Sequence, residues 1–237
     1  MALARHLETE WLDILVSNDS RALRSRQDLA RINLLMLQSR IMTHALQRFH
    51  PGRKPRLILD LGAGDARFML RLARRLAPIW PEVSVISIDR QNIVSNRTRN
   101  DFQSLGWRLE KVTADVFDFL EIGSDCRVDI IVANLFLHHF QQEQLSRLLN
   151  GAKRLSRLFV ACEPRRGSVG LAAGHLLWAI GCNDVSRHDA LASVRAGFRA
   201  KELSALWPAG DGWEVDERAI GPLTHRFVAC LSDVEPI

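Results

Sequence analysis

The clearest chemical signal in the chain is the run Ile58-Leu59-Asp60-Leu61-Gly62-Ala63-Gly64-Asp65-Ala66. An apolar strand that leads into two closely spaced glycines and then a helix makes a turn whose backbone can approach a ligand. Glycine has no Cβ, and open sheets bind ligands beyond the carboxyl ends of their strands. Asp60, Gly62, Ala63 and Gly64 are therefore candidate cofactor contacts. A dinucleotide fingerprint would place its third glycine where Arg67 stands, which disfavours a pyrophosphate. Two acids follow at comparable places. Asp89, in Ser87-Ile88-Asp89-Arg90, comes 25 positions after Gly64 at the end of a second apolar run. A carboxylate there can accept from both hydroxyls of a ribose, with Arg90 beside it. Asp115, in Val112-Thr113-Ala114-Asp115-Val116-Phe117, closes a third run. It can accept from an adenine amine while Val116 and Phe117 pack the ring, or it can cap the helix that follows.

These groups need a frame that ends several strands side by side. Apolar strands are expected at residues 57–61, 83–88, 107–113, 128–133 and 158–162, with helices at 66–76, 93–105 and 141–155 between them. Such alternation, with continuously apolar strands, implies a parallel sheet covered on both faces. Residues 213–218 and 224–231 are also strand-like, and the short link between them permits an antiparallel pair but no crossover helix. The expected fold class is α/β: a doubly wound, mostly parallel seven-stranded sheet with an antiparallel C-terminal strand pair and N-terminal helices. Apolar positions in residues 7–16 and 29–46 recur at helical spacing around Ser17-Asn18-Asp19-Ser20, and Pro51-Gly52-Arg53-Lys54-Pro55 ends that pattern. Residues 1–50 thus read as a helical extension closing over the cleft, and residues 51–237 as the α/β domain with a helical insertion at about 164–208. The apolar stretch 171–181 falls short of the roughly 20 residues that cross a bilayer and reads as a buried helix or pocket wall.

With Asp129-Ile130-Ile131-Val132-Ala133-Asn134-Leu135 as a fourth element, residues 57–162 resemble class I, Rossmann-like S-adenosylmethionine-dependent methyltransferases, in particular bacterial small-molecule enzymes. The resemblance implies S-adenosylmethionine as cofactor. It places Gly62 and Gly64 at the methionine part, Asp89 at the ribose, and Asp115 with Val116 at the adenine. Asn134 and Leu135 would meet the methionine amine and form one wall of the substrate site. The third glycine of the family loop is Ala66 here, a mild departure.

Methyl transfer is an in-line displacement at a sulfonium carbon, so the protein aligns the reactants and takes a proton when the acceptor is an alcohol or phenol. Imidazole, which titrates near neutrality, suits that task. His138 and His139, in Leu135-Phe136-Leu137-His138-His139-Phe140, follow the fourth strand and are the first base candidates, although such a pair often packs locally in this family. His188, in Ser186-Arg187-His188-Asp189-Ala190, lies where the family builds its substrate lid and is the next candidate. Its plain reading is a solvated loop histidine, because sequence neighbours such as Asp189 rarely face each other. Arg195 is a candidate clamp for a substrate carboxylate or phenolate. His44, His50 and His225 read as surface or core groups, and His175 as a core histidine on an apolar helix. Residues 187–207 resemble enzymes that tailor phenolic or pyrone polyketides, which implies O-methylation of a phenolic, pyrone or lipidic acceptor.

Composition narrows the rest. A chain of 237 residues suits one domain with decoration. Its net charge of +5 permits a nucleic-acid partner without requiring one. An RNA methyltransferase is the second reading, yet none of Lys54, Lys111, Lys153 and Lys201 stands in the fourth-strand motif where a lysine-centred site would need one. Amino methylation of a base would show two prolines where Leu135-Phe136 stands. Carbon-5 methylation would need a nucleophilic cysteine, and Cys162 reads instead as a small buried thiol. Cys126, Cys162, Cys182 and Cys230 form no CxxC pair or zinc-like cluster, so neither disulfides nor a metal site are expected. A third reading is an idle nucleoside-binding scaffold, which would bind cofactor without turnover and expose a large apolar patch on the N-terminal helices. The N-terminus resembles no signal sequence, so a cytoplasmic monomer or homodimer without membrane insertion is expected.

Overall fold

The computed structural model describes residues 3–16, 18–50, 54–122 and 127–232. Ser17 of the expected helix stop, Pro51, Gly52 and Arg53 of the chain break, and Cys126 lie outside the described residues. All seven expected strands form: β1 Leu57–Leu61, β2 Ser84–Asp89, β3 Arg108–Thr113, β4 Val128–Asn134, β5 Ser156–Pro164, β6 Trp213–Ile220 and β7 Thr224–Leu231. They make one sheet in the order β3-β2-β1-β4-β5-β7-β6. Neighbours from β3 through β5 are parallel, while β7 runs antiparallel to both β5 and β6. The strand order reverses at β1, which has β2 on one side and β4 on the other, and that switch point is where such sheets bind ligands. In register, Leu61 pairs with both Ile88 and Ala133, Asp89 with Thr113, and Asn134 with Cys162. The carboxyl ends of five strands are therefore nearly flush, and the loops that follow them share one edge.

Three helices precede the sheet, α1 Trp11–Ile14, α2 Ser20–Leu35 and α3 Gln38–Phe49; α4 Arg67–Leu76, α5 Asn96–Ser104, α6 Val116–Ile122 and α7 Gln142–Leu155 lie between its strands; α8 Ser168–His175 and α9 Asp184–Ala196 fill the insertion. Alternate strand residues feed two cores. Ile58, Ile130 and Val160 pack with Met42 and Leu46 of α3 and Met69 and Leu72 of α4, while Leu59, Ile131 and Phe159 pack with Leu145, Leu148 and Leu149 of α7. Cover on both faces is the reason β1, β4 and β5 are buried almost throughout, whereas β3 and β6, at the edges of the sheet, carry charged and exposed residues.

The N-terminal region departs from the periodic reading. Residues 7–16 are helical only at α1, and residues 3–16 run as a strap along α9. The His6 N–H donates to Arg195 O at 3.1 Å, and the Asp189 carboxylate accepts from the Trp11 and Leu12 N–H groups at 2.7 and 3.0 Å. With its backbone satisfied by α9, the strap has no need of the helix that its apolar spacing suggests. The helix expected at 29–46 is two helices. Asp19 caps α2 by accepting from the Arg21 N–H at 2.8 Å, and Leu37, at φ 54°, turns the chain before α3. The stretch 171–181, expected to be buried, is exposed at Leu176, Trp178 and Ile180, and His175 is exposed as well. The cause is that α8 packs on α9 and gives way to a 3₁₀ turn, Leu176–Ile180, with no element over it among the described residues.

Candidate active site

The glycine loop leaves β1 with Gly62 at φ 66° and Gly64 at φ 55°, both in the left-handed region that glycine adopts without strain. A Cβ on Gly62 would lie 2.1 Å from the Phe136 ring, so the position needs glycine on two counts. The Ala63 N–H donates to Ile88 O at 3.0 Å, and the Gly64 N–H to Asp89 Oδ2 at 2.8 Å. Asp89 Oδ1 accepts from the Gln91 N–H at 2.8 Å, which locks the end of β2 to the loop and leaves further lone pairs on each oxygen. Ala66, where the family has glycine, holds φ 60° and so carries a left-handed strain of about 1–2 kcal/mol. Beneath the loop, burial and then the charge of Asp89 push the Asp60 carboxyl up to about 8, against the pull of Lys111. Burial thus favours the neutral form of Asp60.

Across the crevice, Asp115 Oδ1 accepts from the Phe117 N–H at 2.8 Å and caps α6, while Oδ2 pairs with Arg90, whose Nε lies at 3.0 Å. Burial alone would raise this carboxyl, but the hydrogen bonds from Arg90 and Phe117 outweigh it and hold Asp115 below its ordinary value. The cap and the Arg90 pair use only part of its acceptor capacity, and Val116 packs into the core next to it. At the end of β4 the side-chain oxygen of Asn134 is buried without a hydrogen-bond partner. An orphaned amide oxygen costs about 1–3 kcal/mol, so this edge fits a ligand that brings a donor such as an ammonium. Leu135 follows at φ 51°, its N–H bound to Cys162 O at 3.0 Å.

The two histidines stand in different surroundings. His138 is buried, with Nδ1 2.7 Å from Glu163 Oε2 and Nε2 3.2 Å from Glu10 Oε1. Burial disfavours its charge, but hydrogen bonds donated to both carboxylates and then their charges win, raising His138 to about 9; the reciprocal effect holds Glu10 down at about 2. His138 is thus an imidazolium clamped between two acids. Glu163 also accepts from the Phe136 and Leu137 N–H groups at 3.0 and 2.9 Å, shaping the 3₁₀ turn Leu137–His139. His139 is partly exposed, its ring 4.3 Å from that of His138 and its Nδ1 3.4 Å from Asp13 Oδ2 on the strap. Glu10, which also accepts from Ser193 Oγ, His138 and His139 offer atoms within 4.8 Å of one another, so a divalent cation there would have to displace the proton clamped on His138.

Residues 58–157 match the family model of a methyltransferase domain. That match spans 100 of the 237 residues, and the chain as a whole has a Rossmann-like fold. An O-methyltransferase family protein from Burkholderia thailandensis shares the fold with a TM-score of 0.62 at 18% identity, over 92% of this chain and 62% of that one. The plantazolicin methyltransferase BpumL, solved in complex with SAH, gives 0.61 at 16% identity over 90% and 91%. The pyocyanin biosynthetic protein PhzM gives 0.56 at 18% identity over 91% and 60%. The chain thus spans about six tenths of the length of the first and third of these proteins. No curated protein matches its sequence.

The structure gathers Asp60, Gly62, Ala63, Gly64, Asp89, Arg90, Asp115, Val116, Asn134 and Leu135 along one edge of the sheet. His188 and Arg195 are instead engaged by the strap. His188 lies on α9 rather than in a loop, stacked on Trp11 at 4.0 Å, with Asp189 and Glu8 at 3.0 and 3.3 Å from its ring nitrogens. Its contact with Asp189 is the neighbour interaction that the sequence argument discounted. Arg195 meets Glu8 at 3.4 Å. Sequence reasoning missed Glu163, Glu10 and Asp13. Glu163 had a usable signal, an acid ending an otherwise apolar strand, whereas Glu10 and Asp13 only interrupt an apolar pattern in a distant segment.

Proposed function

We propose that the enzyme moves the methyl group of S-adenosylmethionine to a hydroxyl oxygen of a small phenolic, pyrone or lipidic acceptor, with His139 as general base. One observation carries the reading: of two adjacent histidines, one has both ring nitrogens held against carboxylates and the other stands partly exposed beside a carboxylate. A protonated His138 cannot accept a proton, but it can fix the turn that presents His139, while Asp13 orients the second ring. A hydroxyl acceptor needs such a base more than a thiol or amine does. The names of the structural neighbours, an O-methyltransferase family protein and a plantazolicin methyltransferase among them, agree with a small-molecule acceptor.

S-adenosylmethionine, when bound, supplies a methyl group made electrophilic by the sulfonium that carries it. Gly62, Ala63 and Gly64 would offer backbone to its methionine part and Asn134 Oδ1 would accept from its amine, with Asp60 buried in the strand that leads into the loop. Asp89 accepts from the ribose, and Asp115 with Val116 and Arg90 borders the adenine. Leu135 forms the wall between cofactor and acceptor. The strap, residues 3–16, closes the acceptor side. Arg5 donates from Nε to Ala196 O at 2.7 Å and from Nη2 to Phe140 O at 2.9 Å and His138 O at 3.2 Å, and Arg166 Nε reaches Leu3 O at 2.9 Å. Arg195 and His188 hold this strap through Glu8.

Thermal unfolding with S-adenosylhomocysteine, and NAD as control, tests the cofactor. Ligand at about a hundredfold over its Kd adds roughly 2.7 kcal/mol, a shift of several degrees. No shift, or a shift with NAD alone, overturns the reading. Phenols, pyrones and RNA screened with labelled methyl donor then identify the acceptor class. Removing the strap while keeping α3, whose Met42 and Leu46 belong to the core, tests its role: retained turnover would exclude it from the site.

A further inference from the structure

The apolar side chains that the fold leaves uncovered are concentrated around α9. Ile14 and Val16 at the end of the strap, Leu35 at the end of α2, and Leu176, Trp178 and Ile180 in the turn after α8 are all exposed, Trp178 at 62%. The segments that carry them pack against α9 or continue directly from a helix that does. Trp11 shares a groove with Gly174, His175 and Arg187, which joins the strap to α8. The Asn183 N–H donates to Asp28 Oδ2 at 3.0 Å and Asn183 Nδ2 to Arg21 O at 2.9 Å, which pins the far end of the Leu176–Ile180 turn to α2. The turn is closed within itself, since the Gly181 N–H bonds Trp178 O and the Cys182 N–H bonds Leu177 O, so its tip needs no water for its backbone there.

The segment to which this tip is pinned is basic. Residues 18–40 carry five arginines and two aspartates. Asp28 is buried against Ser186 and Asn183, and Asp19 caps α2 and pairs with Arg21. Arg24 of α2 and Arg40 of α3 are exposed and form no ion pair among the described residues, while Arg187 of α9 lines the groove together with Asp184. We propose that this face seats the enzyme on an anionic lipid bilayer, the Leu176–Ile180 turn entering the headgroup boundary while the arginines of α2 and α3 meet lipid phosphates. Tryptophan favours that boundary, and apolar insertion combined with basic residues is how peripheral proteins hold to anionic membranes. A second copy is a poorer match, because a two-fold interface would set the arginine-rich rim against itself. No helix among the described residues is long and apolar enough to cross a membrane, so the attachment is at the surface. The helix that supports this face, α9, also anchors the strap over His138 and His139, which brings a lipid-borne acceptor to the mouth of the site.

The inference deepens the lipidic end of the proposed acceptor range and rests on that reading for its purpose, but vesicle binding is measured without methyl transfer, so the two fail separately. The full chain is co-sedimented with vesicles of phosphatidylcholine alone and of phosphatidylcholine mixed with phosphatidylglycerol. Binding to the mixed vesicles is expected and should weaken with salt. The double substitution Leu176→Glu with Trp178→Glu should lower the partition coefficient by about tenfold or more. Arg24→Glu with Arg40→Glu should weaken binding and flatten its salt dependence. Both variants should keep the thermal shift with S-adenosylhomocysteine, which shows that they fold. The proposal is overturned if neither vesicle binds, if the apolar double variant binds as well as the parent, or if light scattering shows a dimer that this variant dissolves, in which case a second copy covers the face.

Discussion

On the cofactor side of the cleft every candidate contact lies at or just beyond the end of a strand, whereas on the acceptor side Glu10, His138 and Ser193 meet across 128 and 183 residues of chain. The first side is held by sheet register and by local bonds such as that from Gly64 to Asp89. The second exists only when the strap docks on α9. On the proposed reading, cofactor affinity comes with the fold while proton transfer depends on the docked strap, so substitutions on the two sides should separate binding from turnover.

The largest effect is expected on the acceptor side. Replacing His139 by Gln should lower kcat about 10²–10⁴-fold, the usual worth of a positioned base, and leave the thermal shift with S-adenosylhomocysteine intact. An unchanged kcat would place the base elsewhere. Glu163→Gln should cost about 3–5 kcal/mol of stability, because it strips a buried cation of one partner and disturbs the acceptor of two backbone N–H groups; thermal unfolding reads this directly. Gly62→Ala should break the opposite side. A left-handed φ and the Phe136 ring together make a loss of about 3 kcal/mol and abolish the cofactor shift. A Gly62→Ala variant that kept both stability and cofactor affinity would show that the loop is not the cradle described.

The same contrast explains what could be read in the sequence. The strands, the sheet class, the antiparallel pair and the glycine loop were legible because each rests on a pattern a few residues long, apolar periodicity or glycines at a turn. The Asp89 and Asp115 positions followed from strand ends. The His138–Glu163–Glu10 clamp was not legible, since nothing local tells that an acid in the strap and an acid ending β5 converge on one ring. The strap itself misled, because its apolar spacing fits a helix while the partners that hold it extended, Asp189 and Arg195 O, are distant in the chain. The exposed 171–181 stretch misled for a related reason. Hydrophobicity predicts burial only when some other element arrives to cover it.

The mildest perturbation, and the one most specific to the acceptor side, is pH. Four ionisable groups meet at the clamp: His138, Glu10 and Glu163 directly, and His139 through ring contact, with Arg5 on the adjacent carbonyls. The folded value of His138 is raised to about 9, so its contribution is complete below the ordinary histidine value of 6.5 and is lost as pH rises through about 9. Glu10 is lowered to about 2, so its contribution is complete above 4.5 and is lost as pH falls through about 2. The two describe one interaction seen from either partner, and Glu10→Gln should therefore remove about 2 kcal/mol once rather than twice. Hydrogen exchange at the Trp11 and Leu12 amides reads the docking of the strap. Corrected for the intrinsic pH dependence of exchange, their protection should fall between pH 6.5 and 9 in the parent and start from a lower level, with a weaker slope, in Glu10→Gln. Protection that ignores pH in both proteins would mean that Arg5 and Asp189 hold the strap unaided, and the acceptor side would then be as permanently assembled as the cofactor side.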